Sequence, residues 1–216
     1  FNDEKILGSL LDLNALRMLP EQMAYQLMTS DKPYAKYAYG LWLWACNNDS
    51  DSLKKAFSIF KETAGNGIVD AIQMISRMYW LGEAYDDEKE IFVMDRKLSV
   101  ELTAQAIEKG SILAKLRHNR DLFYGTTEMA ADPQAAIAQA EREATAYSES
   151  IMWTEQLGDF YNYNGDKDRA IKAYSKCIIN GHYAPIYDIA LIYLNNGDEE
   201  YYKTLMELGI DLGVSD

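Results

Sequence analysis

The sequence predicts an all-α protein: an alpha-alpha superhelix, a right-handed solenoid of about five helix-turn-helix repeats behind an N-terminal helical cap. Three features carry that prediction. A five-residue phrase returns along the chain, clearest as Leu157-Gly158-Asp159-Phe160-Tyr161 and again as Ile189 to Tyr193 and Ile75 to Tyr79, with looser copies at Tyr39 to Leu43 and Arg120 to Tyr124. The small second residue of each copy (Gly40, Ser76, Asp121, Gly158, Ala190) steps by 36, 45, 37 and 32 residues. A second ruler keeps the same register. Closers at Gly67, Gly110, Ser148, Gly181 and Gly213 follow Thr63, Ala106, Ala144, Cys177 and Gly209 by four residues and Ala56, Ser99, Ile137, Ala170 and Tyr202 by eleven.

Taken in order, residues 1–33 form the cap. Ile6, Leu7, Leu10, Leu11, Leu13 and Leu16 pattern as an amphipathic helix, and Pro20 starts a second over 21–29. Residues 34–213 form the solenoid. In each repeat the small residue lets two helices approach closely, and the aromatic three positions on shares its face. The second helix repeats small and apolar residues at helical spacing, as in Ala170 to Cys177. A closing glycine suits a helix end that needs a left-handed backbone. Turn-like runs at 47–51, 162–166 and 195–198 separate the helices, and Asp132-Pro133 opens the third repeat's second helix as N-cap and first-turn proline. The second repeat carries an insertion of about nine residues at Glu83 to Met94, whose acidic run 86–90 reads as a solvated loop.

At 216 residues and 48% hydrophobic content the chain buries a core without disulfides. Cys46 and Cys177 fall in different repeats, too far apart to pair, and Cys177, at a small core position, reads as a packed thiol. The net charge of −13 argues against nucleic-acid and anionic-membrane binding, and it suits a basic protein partner. No run of about eighteen apolar residues could span a membrane. The chain opens on Phe1, which favours a periplasmic or secreted protein whose upstream signal is removed over a cytoplasmic one.

Catalytic, metal and cofactor residues are expected to be absent. The two histidines, His118 and His182, lie about two repeats apart, with no cysteine or carboxylate pair at metal spacing. No metalloprotease, hydrolase, P-loop or dinucleotide motif occurs. Asn162 to Asp168 fails as a calcium loop, having Lys167 where the loop needs glycine and Ala173 where it needs glutamate.

The repeat pattern resembles the Sel-one-like family, a relative of the tetratricopeptide repeat. Ala71 and Ala114, each four after a closing glycine, match the family's opening alanine; Ala184 is displaced by one, and Met152 replaces it in the fourth repeat. Asp121 departs from the usual glycine. The resemblance implies a non-catalytic interaction module, with adaptor and immunity proteins among bacterial members. By analogy with tetratricopeptide grooves, the first helix of each repeat lines a concave wall. The implied partner-binding residues are Tyr37, Leu41 and Trp44; Gln73, Arg77 and Trp80; His118 with Leu122; Glu155, Asp159 and Asn162; and Tyr187 with Leu191 and Leu194. Under this reading the partner is a protein, a basic toxin or effector being the attractive case. A scaffold in envelope or signalling assembly is the first alternative, and a groove-sited binder or enzyme for peptidoglycan fragments or other small molecules is the second.

Overall fold

The computed structural model describes residues 19–46, 49–127, 129–147 and 150–214. The amphipathic stretch Ile6 to Leu16, the turn residues Asn47 and Asn48, and the closer Ser148 lie outside them. Among the described residues the chain is helical apart from one short hairpin. Its elements are α1 (Glu21–Met28), α2 (Pro33–Cys46), α3 (Ser50–Gly65), α4 (Val69–Leu81), β1 (Ala84–Asp86), β2 (Ile91–Val93), α5 (Arg96–Glu108), α6 (Ile112–Tyr124), α7 (Pro133–Ala146), α8 (Ile151–Tyr163), α9 (Lys167–Ile179), α10 (Ile186–Asn195) and α11 (Glu199–Asp211). From α2 onward, α2/α3, α4/α5, α8/α9 and α10/α11 pair as the sequence rulers require. In the third repeat, by contrast, α7 packs chiefly on α8 and meets α6 through the Asn119 side-chain amide, which donates to the Ala136 carbonyl at 3.1 Å. The chain forms two compact units, Phe1–Lys115 and Leu116–Asp216.

In the first unit, the Gly40 landmark stands where α2 meets α3. A Cβ there would sit 2.9 Å from both Ile59 and Phe60, so only glycine permits this approach. Ser76 does the same work in α4 by a different chemistry. Its hydroxyl is buried, donates to the Ser99 carbonyl at 2.7 Å and lies 2.7 Å from the Thr103 hydroxyl, satisfying a polar group at the α4/α5 seam. The core gathers Tyr37, Leu41, Ala56, Phe57, Phe60, Ala71, Met74 and Met78, with Ala24 of α1 buried beside them.

The insertion of the second repeat folds as a β-hairpin, with residues 87–90 of the acidic run forming its exposed turn. Its strands pair antiparallel, Ala84 opposite Val93 and Asp86 opposite Ile91, and Tyr85 and Phe92 meet ring to ring at 5.2 Å. Tyr85, Ile91, Phe92 and Val93 are aromatic or β-branched, the side chains that favour a strand. The hairpin is fastened to α3: Lys54 lies 4.4 Å from the Tyr85 ring centroid and Lys61 pairs with Asp87 at 3.0 Å.

In the second unit, Gly158 is the tightest landmark. An added Cβ would lie 2.4 Å from the Tyr174 ring, which crosses from α9 over α8. Gly209 plays the same part in α11 beneath the Tyr187 ring of α10. The third repeat departs from its ruler. Helix α7 buries Ala136 and Ala140, while Ile137 and Ala144 are half-buried. A one-residue rotation of about 100° along the helix moves the apolar face from one set to the other. Asp121, the landmark that breaks the small-residue rule, pairs with Arg117 one turn earlier on its own helix at 3.6 Å.

Candidate functional site

Tyr37, Leu41 and Gln73 are core residues, at 0%, 2% and 2% exposure. They stand beside the close helix contacts around Gly40 and Ser76, and Tyr37 packs against Phe60 of α3 at 5.8 Å. Among the described residues the buried Tyr37 hydroxyl and both polar atoms of Gln73 have no hydrogen-bond partner. Burial, with Asp70 adding to it, holds the Tyr37 hydroxyl's pKa well above the usual phenol range.

The three other first-unit candidates are half-buried and interlock with one another and with the hairpin's base. The Trp44 indole Nε1 donates to Glu83 at 2.7 Å, the Arg77 guanidinium lies 4.6 Å from the Trp44 ring, and Arg96 lies 5.2 Å from the Trp80 ring. These contacts fix α2, α4 and the start of α5 together. Trp44 and Trp80 therefore serve at least one internal purpose.

The second unit brings together more of the groove candidates. Glu155 and Asp159 lie one turn apart on α8, and Asp188 of α10 is close enough that its charge helps to raise Asp159 and is itself raised by Glu155. His182, from the turn after α9, has its Nε2 3.0 Å from Glu155, and the Tyr174 hydroxyl donates to Asp159 at 2.9 Å. Asp159 keeps contact with water as a residue, yet its carboxyl is crowded enough that burial, its main perturbation, raises its pKa to about 6. The Tyr174 hydrogen bond opposes that shift, Glu155 and Asp188 add to it, and Arg120 of α6 opposes it. Asp188 is raised for the same leading reason, with Glu155 contributing. No lysine or arginine is ion-paired with any of the three carboxylates among the described residues.

Beside the carboxylates stands an aromatic group. Phe123 of α6 stacks on Phe160 of α8 at 4.0 Å, and over them Tyr124 and Tyr163 meet edge to face at 5.1 Å. Both tyrosines remain open to water, 47% and 70% exposed, and Leu191 on α10 is 49% exposed. Sequence reasoning passed over Tyr124, Tyr163, Asp188 and His182. The i, i+4 spacing of Asp159 and Tyr163 was the available signal, placing both on one side of α8.

The remaining candidates have other positions. Asn162 and His118 are half-buried, Leu122 is half-buried and Leu194 is exposed. Tyr187 is an internal strut: its ring fills the space over Gly209 and its hydroxyl donates to the Val214 carbonyl at 2.6 Å. Cys177 is buried under α8, where burial pushes its thiol pKa up to about 12. Among the described residues no group of three or more histidine, cysteine or carboxylate side chains converges as metal ligands. None of the described helices is long and apolar enough to cross a membrane.

No protein-family model matches the chain, and no curated protein matches it in sequence. Solved structures do match. The crystal structure of a Sel1 repeat protein from Oxalobacter formigenes aligns with a TM-score of 0.56 at 20% identity, covering 93% of this chain and 84% of that one. The chain has the Sel1 repeat fold. A second Sel1-type structure, a protective antigen present in uropathogenic Escherichia coli strains and displaying an SLR fold, aligns with a TM-score of 0.52 at 20% identity. That alignment covers 95% of this chain and 49% of the antigen, so this chain spans about half the antigen's length. At such identity the likeness concerns the fold, and the chemistry of the surface has to be read from this chain's own residues.

Proposed function

We propose that this protein is a non-catalytic module that binds a protein partner through its repeat surface. The observation that carries the reading is the set of large side chains left in solvent on paired helices, Tyr124, Tyr163 and Leu191 among them. Burying such residues against a partner releases water from apolar surface, and tyrosine is prominent among the residues that dominate protein interfaces. The net charge of −13 favours a partner of opposite sign. Neutralisation of a basic secreted toxin is the specific form of this reading that we favour over a scaffold in envelope assembly. In that form an equimolar amount of this protein abolishes the toxin's effect on cells.

The test uses the full chain as bait for proteins of its native host, followed by calorimetry with each purified candidate. A protein bound at fixed stoichiometry supports the module reading. Capture of nothing, together with turnover of peptidoglycan fragments by the purified chain, would replace it with the groove-sited enzyme.

A further inference from the structure

We propose that the face shared by α6, α8 and α10 in the second unit docks a cationic segment of the partner, setting a lysine or arginine beside Glu155, Asp159 and Asp188 while neighbouring apolar residues of that segment rest on Tyr124, Tyr163 and Leu191. The inference rests on the interaction-module reading and gives it a place and a chemistry. Three observations converge there. Three carboxylates lie near one another with no lysine or arginine ion-paired to any of them among the described residues; the His182 imidazole beside Glu155 and Arg120 of α6 near Asp159 offset only part of their mutual repulsion, which leaves Asp159 raised. An incoming cation relieves that repulsion, so the charges are complementary to a basic segment and hostile to an acidic one.

The second observation is the tyrosine pair. Tyr124 and Tyr163 meet edge to face beside Asp159, which helps to hold the Tyr124 hydroxyl's pKa above its ordinary value, second to burial as a cause. Exposed ring faces next to carboxylates suit a guanidinium or ammonium, which is attracted to both. The third is rigidity. The Phe123–Phe160 stack, the Tyr174–Asp159 hydrogen bond and the Glu155–His182 contact fix the groups before any partner arrives, which lowers the ordering cost of binding.

The probe is a short synthetic peptide of alternating arginine and leucine, titrated into the full chain by calorimetry, with glutamine replacing arginine in the control peptide. The arginine peptide should bind, and the glutamine peptide should bind at least about tenfold more weakly, the scale of one lost charge contact. The combined variant Glu155→Gln, Asp159→Asn and Asp188→Asn should lose about tenfold or more. A control with the same change in net charge, Glu199→Gln, Glu200→Gln and Glu207→Gln on α11, should stay within about twofold of the parent. Tyr124→Ala with Tyr163→Ala should cost about tenfold more. Equal weakening by the two charge variants would mean that bulk charge alone attracts the peptide, and the proposal falls. Equal binding of the two peptides, or light scattering that shows the face occupied by a second copy, also overturns it. Each variant is first checked for an unchanged urea-unfolding midpoint or a higher one. If a host protein binds the triple-carboxylate variant as tightly as the parent, the module reading stands and this location is wrong.

Discussion

Gly158 and Asp159 are neighbours in sequence with opposite relations to stability. At Gly158 a methyl group would meet the Tyr174 ring, which the Asp159 hydrogen bond holds in place. Gly158→Ala should therefore destabilise by about 1–3 kcal/mol in urea unfolding, despite alanine's better helix propensity. Gly65, near the end of α3, has open space around it, so Gly65→Ala should instead stabilise by about 0.5–1 kcal/mol in the same measurement. Asp159 has a folded-state pKa of about 6, raised above the ordinary aspartate value of 3.8. A raised acid pKa means the folded chain holds its proton more tightly, so this group's contribution to stability is full below about 3.8 and is lost as pH rises through about 6. Asp159→Asn should accordingly raise the melting temperature at pH 7 and show little gain at pH 4. A variant that folds better yet binds the cationic probe worse marks a residue kept for recognition rather than for stability. No gain at pH 7 would remove the electrostatic strain from that explanation.

Elements depend on a few terminal and bridging contacts. Helix α7 starts at Asp132, whose side chain accepts from the Ala135 amide at 3.0 Å ahead of Pro133. Asp132→Ala should cost about 1 kcal/mol by chemical denaturation, the usual size of a lost N-cap. The β1–β2 hairpin is too short to be stable alone and depends on Tyr85, held between Lys54 of α3 and Phe92 of its own second strand. Tyr85→Ala should speed amide hydrogen exchange across residues 84–93 by an order of magnitude or more and leave the centres of α3 and α4 protected. The acidic composition of 86–90 marks the exposed turn of this hairpin, and the three-residue aromatic and β-branched segments on either side of it are too short to stand out as strands in the sequence.

For the whole molecule the governing quantity is charge, −13 over 216 residues. Encounter with a basic partner should be fast at low ionic strength and slow steeply as salt screens the field, about 8 Å being the screening length at physiological salt. Stopped-flow association with the arginine–leucine peptide should give a rate constant that falls with salt while dissociation changes less. A rate independent of salt would detach the net charge from function.

The sequence alone determined the helical repeat, the cap at Asp132, the turn at 162–166 and the glycines that let helices touch, because these follow from short-range spacing and backbone sterics. It placed Glu155 and Asp159 on a solvent-facing side of α8 for the same reason. Tertiary structure decided the rest. It buried Tyr37, Leu41 and Gln73, turned Tyr187 inward over Gly209, rotated the apolar face of α7 by one residue, and brought His182 and Asp188 to Glu155 from separate elements. A 3.6-residue period says which side chains share a face, but which face is covered depends on how the neighbouring helices and turns pack, and that is a property of contacts distant in sequence.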